Sequence, residues 1–298
     1  MTQTGHRTLD EAAAVFAEMR PRLFGIAYRM LASVSDAEDL LQEVWLRWQT
    51  CDRAAVRNPE AYLTTTTVRL AINATQSAYA RRETYIGPWL PEPVDTSADP
   101  LLGAEKAAAL ELAVLLLLER LTPPERAAYV LREAFDYPYD QIAAIVQTSE
   151  ATARQHVSRA RKHLAAERRA PVSPAQQRRL LTAFVAAAKV GDLSTLEKLF
   201  AQDVVSYVDS GGAVPGASHV PVRGALRLAE AVRAAADGLW AGVEAEPATV
   251  NGGPAVLLCR DGGIFAALSL SASADGIDQV MWTMNPSKLG GVGGPATP

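Results

Sequence analysis

Apolar residues recur at helical spacing through the first two-thirds of the chain and alternate through its last third. Between residues 137 and 164, Ile142, Ala143, Ile145 and Val146 give a short helix one apolar side. Ala153, Val157, Ala160 and Leu164, at steps of four, three and four, give the next helix a narrow buried stripe. Pro138 can open the first helix without losing an intrahelical bond. Gln147-Thr148-Ser149 breaks the pattern, and Thr148 and Ser149 are both suited to capping the second helix. Opposite the stripe lie Gln155, Ser158, Arg159 and Lys162, with Arg154 and Arg161 at its flank. A short helix, a tight turn and a second helix with a basic outer face form the pattern of a helix-turn-helix, whose second helix enters the major groove. An ordinary amphipathic hairpin with a solvated charged face fits the same stretch.

Upstream, residues 8–32 predict two consecutive helices, the second begun by Pro21. Ser35 and Glu38 predict a capping box. The helix that follows buries Leu40, Leu41, Val44, Trp45 and Trp48, while Asp39, Gln42, Glu43 and Leu46 line its other side as an acidic-polar row with one leucine. That row reads equally as a solvated face and as a docking stripe. A long helix begins at Asn58-Pro59 and carries Thr64-Thr65-Thr66-Thr67, a β-branched run that only tertiary packing can hold in a helix. Arg69, Asn73 and Gln76 share one of its faces, and Arg81-Arg82 close it. Residues 84–100 contain four prolines and a glycine, which forbid a regular helix, yet Trp89 and Leu90 need a surface to lie on. An apolar helix is expected over 101–119, and another ahead of the hairpin.

Beyond residue 174 two helices split by Gly191-Asp192 precede a strand at 204–208, a glycine-rich loop at 209–212 and a helix at 225–236. Strand-like runs follow near 243–250, 255–259, 264–271 and 277–284. Helices first and strands last predict an α+β domain with a curved antiparallel sheet. The tail, 290–298, reads as disordered.

Composition narrows the function classes. At 298 residues and 49% hydrophobic, the chain is long enough for two or three domains with cores. The longest apolar run, 107–118, is too short to span a membrane, and no signal peptide is evident, which predicts a cytoplasmic protein. Two distant cysteines, Cys51 and Cys259, form no metal-ligand spacing, so neither metal nor cofactor is expected. The net charge of −4 hides a local surplus, because Arg154, Arg159, Arg161, Lys162, Arg168 and Arg169 face only Glu167 between 154 and 169. Modest phosphate affinity of this kind calls for a partner that helps hold the protein on DNA.

These pieces, in this order, resemble a bacterial sigma factor of the sigma-70 family, of the extracytoplasmic-function (ECF) kind. DAEDLLQEVWLRW resembles the family's second conserved region, and the run from LTPPER to RARKHL resembles its fourth. The remainder resembles a sigma-J-like subgroup with a fused SnoaL-like domain. WLPEP at 89–93 is similar to the subgroup's linker motif. Asp209-Ser210-Gly211-Gly212-Ala213 looks like a degraded Asp-Gly-Gly-Gly-Lys motif, and Asn285-Pro286-Ser287-Lys288-Leu289 resembles a terminal Asn-Pro-x-Lys-Leu.

The resemblance implies region 2 over 8–83, a linker over 84–100, region 4 over 101–168, and a SnoaL-like regulatory domain over 175–289. It implies that Asp39, Gln42, Glu43 and Leu46 dock on the largest subunit of core RNA polymerase, with the second-largest subunit also a partner. Arg69, Asn73, Gln76, Arg81 and Arg82 would meet the minus-10 promoter element. Ser149, Thr152, Arg154, Gln155, Ser158 and Arg159 would read the minus-35 element, with Arg161 and Lys162 on phosphates. Trp89, Leu90 and Pro91 would be gripped by Asp209, Gly211 and Gly212 and by Asn285, Pro286, Lys288 and Leu289.

Three departures matter. Asn73 stands where relatives often carry an acid, Gln147 where many turns carry glycine, and Ala213 where the loop motif carries lysine. Two alternatives from other classes stay open. One is a ligand-binding or enzymatic C-terminal domain using Asp209, His219 and Asp261, which a closed polar pocket would favour and a cavity filled by Trp240, Phe265 and Trp282 would oppose. The other is a conventional dimeric repressor. No catalytic residue is expected.

Overall fold

The computed structural model describes residues 3–97, 111–167 and 169–292, without the side chains of residues 3–8 and 77–83. The chain divides into two compact units. Among the described residues, the first contains 3–83 and 117–166; the second contains 84–97, 111–116, 167 and 169–292.

The first unit is helical. α1 (Gln3–Leu31) runs unbroken through Pro21, where two helices were expected. Leu23, Ile26, Ala27 and Met30, all fully buried, outweigh the hydrogen bond that the proline forgoes. α2 (Val34–Thr50) is capped by Ser33, whose hydroxyl accepts the Asp36 amide at 3.1 Å. The expected Ser35–Glu38 box does not form, and Glu38 instead pairs with Arg20 at 2.5 Å. α3 (Pro59–Glu83) begins at Asn58, which accepts the Ala61 amide at 3.0 Å. Its threonine run is accommodated because Thr66 and Thr67 donate back to the carbonyls of Tyr62 (2.8 Å) and Leu63 (2.9 Å).

α4 (Leu112–Leu118) is the described part of the helix expected over 101–119, and residues 101–110 lie outside the description. α5 (Pro123–Phe135), α6 (Tyr139–Val146) and α7 (Glu150–Glu167) follow. Ala153, Val157, Ala160 and Leu164 of α7 are buried as their spacing predicts. Gln147 joins α6 to α7 in a left-handed conformation, φ 60°, as a glycine would. Arg126, 1% exposed, donates to the Met30 carbonyl and to Glu119, both at 2.7 Å, and so ties α5 to the end of α1. Burial lowers its pKa to about 10.

The second unit is α+β. α8 (Pro174–Val190), α9 (Leu193–Leu199) and α10 (Ala225–Trp240) accompany six strands: β1 (Phe200–Asp209), β2 (Val222–Arg223), β3 (Glu244–Val250), β4 (Gly253–Arg260), β5 (Gly263–Ser273) and β6 (Gly276–Thr283). The sheet order is β2-β1-β6-β5-β4-β3. It is mixed rather than wholly antiparallel, because β3 to β6 form a meander whose last strand lands parallel to β1. Alternation identifies strands but carries no information about their order. The parallel pair has a structural consequence: it brings the chain leaving β1 and the chain leaving β6 to the same end of the sheet. Asp209 lies opposite Thr283, and Met284 donates to the Asp209 carbonyl at 2.7 Å.

Each sheet face has its own core. One packs Phe184, Leu228, Val232, Trp240 and Trp282. The other gathers Leu90, Leu112, Val250, Leu257, Met281, Leu289 and Val292, so the linker and the chain's end cover it. Val292, in the tail expected to be disordered, belongs to this core and is 2% exposed; residues 293–298 lie outside the description.

Candidate nucleic-acid interface and linker clamp

The most tightly built polar site lies where β1 and β6 end together. Asp209, fully buried, accepts three hydrogen bonds on its carboxylate. Lys288 Nζ donates to Oδ2 at 2.6 Å, the Leu90 amide donates to Oδ2 at 2.7 Å, and the Tyr85 hydroxyl donates to Oδ1 at 2.5 Å. Lys288 also donates to the Leu90 carbonyl at 2.6 Å, so both backbone groups of Leu90 are held by one ion pair. The ammonium sits 4.3 Å from the Trp89 ring centre and 5.0 Å from that of Tyr85.

Local structure places each group. Pro286 starts a 3-10 turn (Pro286–Lys288) capped by Asn285, whose Oδ1 accepts the Ser287 amide at 3.1 Å. That turn directs Lys288 inward. The other end of the Asn285 amide donates to the Tyr85 hydroxyl at 2.7 Å. Gly211 is demanded twice: its φ is 56°, and a β-carbon there would lie 2.5 Å from Asn285 Nδ2 and 3.0 Å from the Tyr85 hydroxyl. At Gly212 a β-carbon would stand 3.3 Å from Ile86. Pro91 is buried beside Leu90, and Leu289 enters the core beneath. Ala213 removes the lysine of the motif, and Lys288 supplies the cation for Asp209. Every residue assigned to this grip by sequence is therefore in or beside it.

Tyr85 was not anticipated. Its signal was a tyrosine ahead of Trp89 in a proline-rich stretch, an aromatic body whose hydroxyl needs a partner once buried. Burial and the neighbouring Asp209 raise its pKa well above the usual tyrosine value.

In the first unit, Asp39, Gln42, Glu43 and Leu46 are all exposed on α2, and Leu46 keeps 55% of its surface in solvent. Glu43 pairs with Arg47 at 2.7 Å. Trp45, expected in the core, is half-buried against Phe16. On α3, Arg69, Asn73 and Gln76 are exposed, and an open cavity of about 410 Å³ lies between Arg47, Tyr62, Thr66, Arg69 and Asn73. The side chains of Arg81 and Arg82 lie outside the description.

Along α7, Arg154, Gln155, Ser158, Arg159, Arg161 and Lys162 are exposed. Several of these are engaged within the protein. Ser149 caps α7, accepting the Thr152 amide at 3.1 Å. Arg154 pairs with Glu150 at 2.5 Å and lies 4.3 Å from the Tyr139 ring centre. Arg161 grips Glu133 with two nitrogens, at 2.6 and 3.1 Å, which raises its pKa. Arg159 stands 3.9 Å from Glu125.

His219 and Asp261 are exposed and Asp209 is enclosed in the clamp, so the three do not converge. A separate cavity of about 280 Å³ is lined mainly by Val208, Val214, Leu228, Val232, Leu239 and Trp282, with no carboxylate or histidine. Trp240 and Trp282 meet edge to face in the core, while Phe265 is half-buried under Arg260. Among the described residues no group of three or more His, Cys, Asp or Glu could hold a metal, and no helix is long and apolar enough to cross a membrane.

Comparison with known proteins places these features. Residues 15–82 match the family model for sigma-70 region 2, and residues 111–164 match that for sigma-70 region 4. The chain is 41% identical over 220 residues to the ECF RNA polymerase sigma factor SigJ of Mycobacterium tuberculosis, covering 72% of this chain and 69% of that one. It is 32% identical over 292 residues to the probable ECF RNA polymerase sigma factor SigI of the same species, covering 94% and 95%. The crystal structure of M. tuberculosis SigJ superposes with a TM-score of 0.74 at 32% identity, over 96% of this chain and all of that one. A helix-turn-helix, two sigma-70 regions and full-length kinship lead to one assignment. The chain belongs to the ECF sigma factors of the sigma-70 family, a non-catalytic family that directs promoter recognition and transcription initiation.

Proposed function

We propose that this sigma factor controls its own promoter reading through the domain at its C-terminus, by gripping the linker between its two DNA-reading regions. The supporting observation is the Lys288–Asp209 pair, which holds both the amide and the carbonyl of Leu90. Region 2 reads the minus-10 element through Arg69, Asn73 and Gln76. Region 4 reads the minus-35 element through α7, and the α2 row of Asp39, Gln42, Glu43 and Leu46 docks on core polymerase in the cytoplasm. Two readers on one chain gain effective concentration from their link, so whatever fixes the link fixes the promoter geometry they accept.

The C-terminal domain acts as a holder rather than a catalyst. Its acid and base candidates stand apart, and its apolar cavity carries no titratable group. The test is run-off transcription with purified core polymerase and a promoter library, using the full chain and a chain without residues 175–298. Promoter-dependent synthesis by the full chain and an altered promoter profile for the shortened one are expected. Identical profiles would remove the control in cis.

A further inference from the structure

The linker is held a second time, from Val94 onward, by groups that no sequence motif marks. Asn251 and Gly252, with φ of 53° and 74°, form the tight turn between β3 and β4. Consecutive left-handed residues of this kind suit a two-residue hairpin. Asn251 is fully buried, which a turn residue at a hairpin tip does not require. Its backbone amide donates to the Val94 carbonyl at 2.9 Å, and its Oδ1 accepts the Val94 amide at 2.9 Å. One residue thus satisfies both backbone groups of a linker residue, as Lys288 and Asp209 do together for Leu90.

Neighbouring bonds extend the contact. The Thr96 amide donates to the Thr249 carbonyl at 3.1 Å, and Thr96 Oγ1 accepts the Gly252 amide at 2.9 Å. The Asp95 amide donates to the Gly291 carbonyl at 3.0 Å, and Asp95 bridges to Val250 in antiparallel fashion. The linker therefore adds a short stretch to the otherwise open edge of β3, by β-augmentation within one chain.

We propose that Asn251 is a positioning residue for promoter reading, acting through the linker. The Asn251–Gly252 turn fixes Val94, Asp95 and Thr96, so the length of linker free to span the two DNA-reading regions is set at this second anchor as well as at Leu90. This rests on the reading of the linker grip given above. Recognition here runs through backbone groups, so it constrains where the linker lies rather than which side chains it carries.

Asn251→Gly keeps a residue at ease with positive φ while deleting Oδ1. Thr96→Val removes the hydroxyl at constant shape. The experiment measures amide exchange across residues 91–97 in the full chain, together with transcription by core polymerase from promoters with different spacings between the two elements. In Asn251→Gly and Thr96→Val, exchange in that peptide should rise by about threefold to tenfold. Both variants should also accept a wider range of spacings. Unchanged exchange, or faster exchange with an unchanged spacing profile, would overturn the inference. Trp89→Ala separates the two levels. If it alters the profile and Asn251→Gly does not, the second anchor falls and the linker reading stands; if neither does, the linker reading itself falls.

Discussion

Arg69 of α3 donates its Nε to the Ile145 carbonyl at 3.1 Å and a terminal nitrogen to the Ala144 carbonyl at 3.3 Å, closing the end of α6. A residue assigned to the minus-10 element thus serves as a cap for the first helix of the helix-turn-helix. The guanidinium also complements the negative end of the helix dipole. α3 and the helix-turn-helix lie in the same compact unit. Arg69→Ala should speed amide exchange at the end of α6 and cost about 0.5–1 kcal/mol, discounted for the exposure of the side chain. Unaltered exchange there would show the contact to be incidental.

The Lys288–Asp209 pair should be far more sensitive. Lys288→Met leaves a carboxylate with no exposed surface and no counter-charge, and should cost about 3–5 kcal/mol. Adding Asp209→Asn should recover a large part of that loss, since a neutral amide can be buried with hydrogen bonds alone. Urea unfolding of the single and double variants reads the difference, and equal losses would argue against an uncompensated charge as the cause.

Gly211→Ala tests packing at the same place. The added methyl would meet Asn285 and Tyr85 and would force a non-glycine residue to a φ of 56°. A loss of at least about 1–2 kcal/mol is expected, together with release of the Tyr85 hydroxyl from its partners. Tyrosine fluorescence and thermal unfolding report the two effects separately.

Alkaline pH should loosen the clamp through Tyr85. Its pKa is raised in the folded protein, by burial first and then by Asp209, so the folded state binds the phenolic proton more tightly than the unfolded chain does. The resulting stability is fully present below the ordinary tyrosine value of 10.0 and is lost as pH climbs above it. Tyr85→Phe should lower stability at neutral pH and flatten the decline above that value. A variant with the same alkaline slope as the wild type would assign the slope to other groups.

On α7, base reading and phosphate contact should separate. Gln155→Ala and Ser158→Ala should each relax discrimination at particular minus-35 positions, by about 1–3 kcal/mol where a good base contact is lost. Lys162→Ala should weaken binding evenly across sequences and reduce the salt slope by about one. Arg161 is expected to contribute less than Lys162, because Glu133 already holds its guanidinium.

The helical half was legible because its signals are local. The stripe of α7, the cap at Asn58 and the exposed row on α2 follow from spacing and side-chain chemistry over a few residues. Misreadings were local as well: packing carries α1 through Pro21, and Ser33 takes the cap expected at Ser35. The C-terminal strands were visible as alternation, but the parallel β1–β6 pair was not, since it joins segments about 75 residues apart. That pair assembles Asp209, Asn285 and Lys288. The family resemblance identified those three, whereas Tyr85 and Asn251, which no motif carries, became evident only through their partners. The internal partners of Arg69 and Arg161, and the Tyr139 ring beside Arg154, likewise lie too far along the chain for spacing to show them.

The most direct test of the account is binding of the polymerase-free protein to a duplex carrying both promoter elements, compared between the wild type and Trp89→Ala. In the control proposed above, the gripped linker also keeps the polymerase-free protein off DNA. Trp89→Ala, which strips the ring from beside Lys288 while leaving α2, α3 and α7 untouched, should therefore bind more tightly. Equal affinity for the two proteins, with the linker shown by amide exchange to be released in the variant, would contradict it.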